Sequence, residues 1–407
     1  FGKPYNGTLF RFPLRNPSLA RTSEISSRSY GVTDIEQNLD QLITGLSHYL
    51  LFLRNVKSIE VYRLPRTSGK EPRVPELLHR AAASGEIVET KNDQRLLRYF
   101  DRSKTKNSVN LTRDEFYSEL LRTRDDQLPL YSQRTKVEVQ SFTAGSMEGG
   151  KNGSGNSVTS KASHKEEVEY LILTGLRGGE AKELACDPQT RHLKLIPLGG
   201  VAACLSKTTI DAQGTETRER FPKIAGQAFV FLPLPIQTKM PVHCNAYFEL
   251  SSNRRDIWRG EDTQGEAKLR SDWNVLVMRD VLAPLYSNLL VRVSALVIAE
   301  VTRGSSKREA STSNMGMTRQ YPQVMNLLPC PVPPEPWNDL SSALFTSLRD
   351  VKLLWSQRRG GQLVSPSTAL LIVSSQSGSG GGGTDKDENT EEASVNDRLE
   401  SILLQED

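Results

Sequence analysis

Three cations stand where a sheet could aim them at an anion. Lys239, Arg254 and Arg255 lie in the segment Phe231-Leu-Pro-Leu-Pro-Ile-Gln-Thr-Lys-Met-Pro-Val-His-Cys-Asn-Ala-Tyr-Phe-Glu-Leu-Ser-Ser-Asn-Arg-Arg-Asp-Ile-Trp258. It reads as an apolar strand, a proline-bounded turn and a second strand that ends on paired arginines. Alternation of Val242, Cys244, Ala246, Phe248 and Leu250 predicts a strand with one buried face. Such a strand holds Arg254 and Arg255 on a loop at its end, where planar guanidinium forks suit an oxyanion. Two readings compete with anion binding: solvated surface charge, and a bidentate clamp on a carboxylate within the fold.

Other chemistries fail on geometry or spacing. His243 and Cys244 are neighbours on a strand, so they point to opposite faces and cannot form a nucleophile pair. Ser251-Ser252 has no Gly-x-Ser-x-Gly context, and neither a Walker loop nor a dinucleotide fingerprint occurs. Cys186, Cys204, Cys244 and Cys330 share no CxxC spacing, and five scattered histidines add no zinc pattern. Buried thiols in a reducing, cytoplasmic compartment are expected.

Charge and composition narrow the partners. The chain of 407 residues carries a net charge of +4, while residues 384–407 hold nine acids and two bases. The rest is therefore moderately basic and the tail acidic. The arginines are dispersed and aromatics make up only 7%, so no basic stripe with stacking residues indicates a nucleic-acid surface. No run approaches ~20 continuous apolar residues, which argues against a membrane span. Without an initial methionine or a signal peptide, the chain reads as an internal piece of something larger.

Around the cations, the pattern predicts an α/β chain with mixed, mostly antiparallel sheets, packed helices, long disordered loops and an acidic tail. A strand is expected over residues 8–14. Thr33 and Glu36 suggest a capping box ahead of a helix whose Ile35, Leu39, Leu42, Ile43, Leu46 and Leu50 should pack into the core. Strands follow at 58–64, 135–142, 167–173, 192–205, 225–232 and 242–250, with 135–142 and 167–173 forming a long-looped antiparallel pair. Thr112 and Glu115 repeat the capping signature. A helix over 272–300 should kink or split at Pro284. The proline-rich passage 329–337 is a polyproline ligand or, more simply, a spacer into a helix at 337–356. A last strand is expected at 364–373 and a short amphipathic helix at 395–405.

The segment 231–258 resembles the sacsin repeat. Gly7-Thr-Leu-Phe-Arg-Phe-Pro-Leu-Arg15, Leu50-Leu-Phe-Leu-Arg-Asn-Val-Lys-Ser-Ile59, and Trp273-Asn274 followed by Asp280-Val-Leu-Ala-Pro-Leu-Tyr286 resemble further hallmarks of that family, in the family's order. The motif positions are Gly7, Thr8, Arg11, Arg15, Asn245, Asn253, Arg254, Arg255, Trp273 and Asn274. Here Gln237-Thr-Lys-Met240 replaces the usual Thr-Gly-Leu, and Ala246 a glycine.

The resemblance implies that residues 1–64 hold the end of a GHKL-type nucleotide domain, like that of the ninety-kilodalton heat-shock chaperone, and the start of a middle-like region. A helical and strand segment (65–143), a flexible loop (144–166), the repeat core (167–301), a second loop (302–320), a helix and strand segment (321–373) and the tail (374–407) follow. The elements that hold adenine, phosphates and magnesium are missing from the sequence, so no cofactor is expected on this chain alone, with ATP and magnesium left to the parent protein. By the same resemblance, the chain is a chaperone or co-chaperone module. Its partners would be client proteins and the seventy-kilodalton heat-shock machinery. The alternative is the transducer half of an ATPase, with Lys239, Arg254, Arg255 and Thr8 near the phosphates of a nucleotide bound elsewhere.

Overall fold

The computed structural model describes residues 7, 8, 10–64, 75–100, 111–142, 162–260, 264–305, 317, 321–356 and 362–369. The loop residues 144–161 and 306–316, the strand residues 370–373 and the tail, with its expected helix, lie outside them. The architecture is α/β, built on a curled, mostly antiparallel sheet.

Nine strands form that sheet: β1 Ser58–Arg63, β2 Glu76–Lys91, β3 Leu130–Phe142, β4 Ala162–Leu176, β5 Leu198–Ile210, β6 Glu216–Arg220, β7 Gln227–Val230, β8 Leu232–Gln237 and β9 His243–Ala246. Their order is β1-β2-β3-β4-β5-β9-β7-β8, with β6 also on β5. β3 and β4 form the expected antiparallel pair. Among the described residues, only β7 and β9 run parallel.

Side chains alternate strictly across the centre of the sheet. Leu171, Leu173, Val201, Ala203 and Leu205 enter the larger core, while Tyr170, Ile172, Ala202 and Cys204 enter a second one on the opposite face. Burial on both faces explains why β4 and β5 read as unbroken apolar runs. It also corrects the one-faced reading of 242–250. His243 and Asn245 are as buried as Cys244 and Ala246, because β9 is an inner strand of the sheet.

Helices seal the first face. They are α3 Arg113–Arg122, α4 Gly179–Cys186, α5 Glu266–Leu276, α6 Ala283–Ser305 and α7 Trp337–Leu348, numbered after α1 Pro17–Arg21 and α2 Val32–Gly45. The α3 cap forms as read. Glu115 N–H donates to Thr112 Oγ1 at 3.3 Å, and Thr112 N–H donates to the Glu115 carboxylate at 2.8 Å. Pro284 does not split the long helix. Val277–Leu282 widens into a π turn in which Ala283 N–H reaches back to the Met278 carbonyl. This joins α5 to α6 just before the residue that has no N–H to give. The continuous helix is long and apolar enough to cross a membrane by composition. Trp273, Val277, Val281, Leu285, Leu289 and Val293 are buried against the sheet and α7, so it is the core helix.

Other expectations need correction. Residues 10–16 form no strand, and Phe10 and Phe12 are 72% and 80% exposed. α2 starts two residues before Thr33 would cap it. Gly31 is the N-cap, and its N–H donates to the Asp34 carboxylate at 2.9 Å, which lowers the Asp34 pKa. The apolar face of α2 is not core: Ile35 is exposed and Leu39, Leu42 and Ile43 are half-buried, so only Leu46 and Leu50 in the following turn reach the interior. The strand expected over 192–205 begins only at Leu198, after a 3-10 turn. The proline passage leads into α7 through Trp337, which is buried, as a spacer would. At the C-terminal end, Leu354–Ser356 and Gln362–Val364 pair as β10 and β11.

Candidate functional site

The three candidate cations do not converge. Lys239 sits in the turn before β9, exposed, at a positive φ of 54°. That turn is clasped between Thr238 N–H to the Gly226 carbonyl and Gly226 N–H to the Met240 carbonyl, both 2.7 Å. Arg254 and Arg255 lie beyond the other end of β9, whose four residues alone span about 13 Å. They ride on a hairpin closed by the bridge between Leu250 and Ile257. Its tip is set by Asn253, which accepts from Arg255 N–H at 2.8 Å and from Ser251 Oγ at 2.7 Å. Arg254 adopts a φ of 56° and donates its N–H to the Ser251 carbonyl. Both guanidinium groups are exposed and pair with no carboxylate among the described residues, so the clamp within the fold is set aside.

At the N-terminal end, Gly7, Thr8 and Arg11 are exposed. Arg15 donates to Ser23 Oγ at 3.1 Å. No hydrogen bond or ion pair among the described residues joins Thr8 to Lys239, Arg254 or Arg255.

The remaining motif residues tie the hairpin to the core. Asn274 is buried and makes three bonds: Oδ1 accepts from Glu249 N–H at 2.9 Å, and Nδ2 donates to the carbonyls of Glu249 and Trp258, each at 2.8 Å. The amide thus completes both strands of the hairpin from the side of α5. Trp273 is fully buried and donates Nε1–H to the Tyr247 carbonyl at 2.7 Å. Asn245 accepts from Phe231 N–H at 2.7 Å and so holds Phe231 at a φ of 59°. Buried amides earn their place only when every group finds a partner. Here they do.

Two further contacts escaped the sequence. Arg54 lies over the rings of Phe100 and Phe231, at 5.3 and 5.4 Å, and donates to the Phe100 carbonyl at 2.5 Å. This cation–π clamp joins the 50–59 motif to the 231–258 motif. His48 and His243 stack with centroids 4.7 Å apart and planes 19° from parallel. His243 Nδ1 accepts from Gln227 N–H at 3.1 Å. Burial lowers the His48 pKa to about 4 and pushes that of His243 well down, with the His48 charge adding to the latter. Their signal was present as a histidine within each neighbourhood, but nothing local announces that they touch.

Three of the four thiols are shut away from solvent, and Cys330 is exposed. Cys186, Cys204 and Cys244 are buried, and burial pushes the last two up to about 12. Beside the hairpin, a shallow cleft between Trp258, Arg259, Asn274, Met278, Pro336 and Asp339 admits little more than a single water.

Comparison with known proteins finds two likenesses. A family model described as the sacsin domain matches residues 1–75. Sacsin of Homo sapiens is 27% identical over 292 residues, which cover 71% of this chain and 5% of the human protein. The chain thus spans only a small part of the curated relative it matches. No solved structure matches it.

Proposed function

Because the chain is sacsin-like, we propose that it is a protein-binding module of the chaperone or co-chaperone type, which scaffolds partly folded clients without performing chemistry of its own. One observation carries this reading. The matched N-terminal region presents large apolar side chains to solvent, with Phe10, Phe12, Ile25 and Val32 all at least 70% exposed. Exposed apolar groups concentrated in one region favour association with apolar chain segments. The buried motif residues support it too, since Asn245, Trp273 and Asn274 spend their polar groups inside the fold. A cytoplasmic setting and the seventy-kilodalton heat-shock machinery as partner belong to the same proposal. The test is binding of the full chain to a permanently unfolded, carboxymethylated lactalbumin in the absence of nucleotide. Micromolar affinity supports the reading, and no binding at tenfold molar excess rejects it.

A second reading keeps one specific support. Arg254 and Arg255 stand on an ordered hairpin, exposed and free of carboxylate partners among the described residues. That is how a transducer would offer cations to a nucleotide held by another domain of the parent protein, where charge stabilisation can be worth several kcal/mol. ATP turnover by a longer span that includes such a domain, with and without Arg254→Ala plus Arg255→Ala, decides it. Collapse of turnover with folding intact supports the transducer, and unchanged turnover removes it.

A further inference from the structure

We infer that the stacked pair His48–His243 is a proton-sensitive latch that holds the turn 46–53 against the second face of the sheet. The turn covers that face with Leu46, Leu50, Leu51 and Phe52, which pack on Tyr170, Ile172 and Phe229. Besides the histidine pair, its polar tie to the sheet is a side-chain hydrogen bond between Ser47 and Tyr170. Its backbone bonds are local, from Leu46 to Ile43, His48 and Tyr49 to Gly45, Leu51 to His48, and Leu53 to Leu50. Among the described residues, no backbone hydrogen bond ties 46–53 to a strand. The turn can therefore leave the sheet as a unit, without breaking the ladder beneath it.

The stack works only while both rings are neutral. His243 Nδ1 already accepts the Gln227 N–H, so that nitrogen must stay unprotonated for the bond to survive. A proton there turns an acceptor into a donor facing a donor. A proton on His48 places a cation against a ring 4.7 Å away, among apolar side chains. Burial is the main force resisting either proton.

From β4, Tyr170 faces His243 at 5.8 Å, and the Glu166 carboxylate favours a charged His48, although Lys207 of β5 holds Glu166 at 2.8 Å. Cys204 of β5 is buried and neutral beside Tyr170. From β7 come Phe229, edge-on to both rings, and the Gln227 amide, which favours a charged His48. Tyr49 of the turn is edge-on to His48 at 5.0 Å. Glu166 and Gln227 thus favour a charged His48, but burial is the larger effect and decides. At the far end of the turn, Arg54 keeps its grip on Phe100 and Phe231, which confines release to the residues before it.

The experiment is hydrogen exchange of the full chain at pH 7.0 and 5.0, with rates corrected for intrinsic chemistry. The expected result is a loss of protection of tenfold or more in peptides covering 45–54 at pH 5.0, with peptides covering 283–300 unchanged. His48→Phe, which keeps a flat ring and removes the base, should abolish that loss. Three outcomes overturn the latch: no change in 45–54, loss of protection in all peptides together, or the wild-type response in His48→Phe. Should His48→Phe fail to fold at pH 7.0, ring titration of the wild-type histidines decides. Both imidazoles must titrate below the ordinary value of about 6.5 together with the opening, and midpoints at that value overturn the proposal.

Discussion

The region before residue 58 and the sheet-and-helix body solve the same problem differently. In the body, apolar side chains face other apolar side chains. α5 and α6 lie along the sheet, and Trp273, Tyr286, Leu289 and Leu340 are shut from solvent. In the first region, Phe10, Phe12, Leu14, Leu19, Ile25, Val32 and Ile35 are exposed, and only the turn 46–53 enters a core. One part of the molecule shuts its apolar groups inside, and the other leaves them at the surface. His48–His243 and Arg54–Phe231 form the seam between them.

Breaking the body should have the largest effect. Trp273→Ala removes a fully buried indole and its bond to Tyr247, and should cost about 4 kcal/mol in chemical denaturation. A loss under about 1 kcal/mol would mean that the body tolerates holes and the contrast is overstated. Asn274→Ala leaves Glu249 N–H and two carbonyls without their side-chain partner, and should cost about 2–3 kcal/mol.

The seam should respond to acid. His48 binds its proton less readily folded than unfolded, so between pH 6.5 and about 4 the unfolded chain holds more protons and stability falls as pH falls. From pH 7.5 to 5.0 the loss from His48 is about 2 kcal/mol. Thermal melts of wild type and His48→Phe should therefore diverge below pH 6.5 and run parallel above it. The smallest effect belongs to the hairpin tip. Arg254→Ala plus Arg255→Ala touches exposed groups without described ion pairs and should change stability by less than about 0.5 kcal/mol.

Local chemistry and the antiparallel β3–β4 pair were legible in the sequence, and distant side-chain contacts were not. The Thr112 and Glu115 cap could be read because its two bonds span three residues. β4 and the core helix announced themselves by apolar content. β2 left no signal because Ser84–Lys91, half of its length, is exposed on both faces and follows neither period. α2 was seen as an amphipathic helix, but periodicity says only which residues share a face and not whether anything covers it. At the site, the sequence supplied the motif residues without their division of labour. Asn274 reaches Glu249 across 25 positions, whereas Arg254 and Arg255 look outward from the same hairpin. Only the fold separates residues that hold it from those that face away.

The contrast between the two regions is tested most directly by aggregation suppression. Heat-denatured citrate synthase would be mixed with the full chain, without nucleotide, and light scattering followed. Suppression near equimolar ratio is expected from wild type and from Arg254→Ala plus Arg255→Ala. It should be lost in Phe10→Ser, Phe12→Ser, Ile25→Ser combined, with the melting temperature of the body unchanged. Suppression that survives in the triple variant, or that appears only with ATP, would contradict the account.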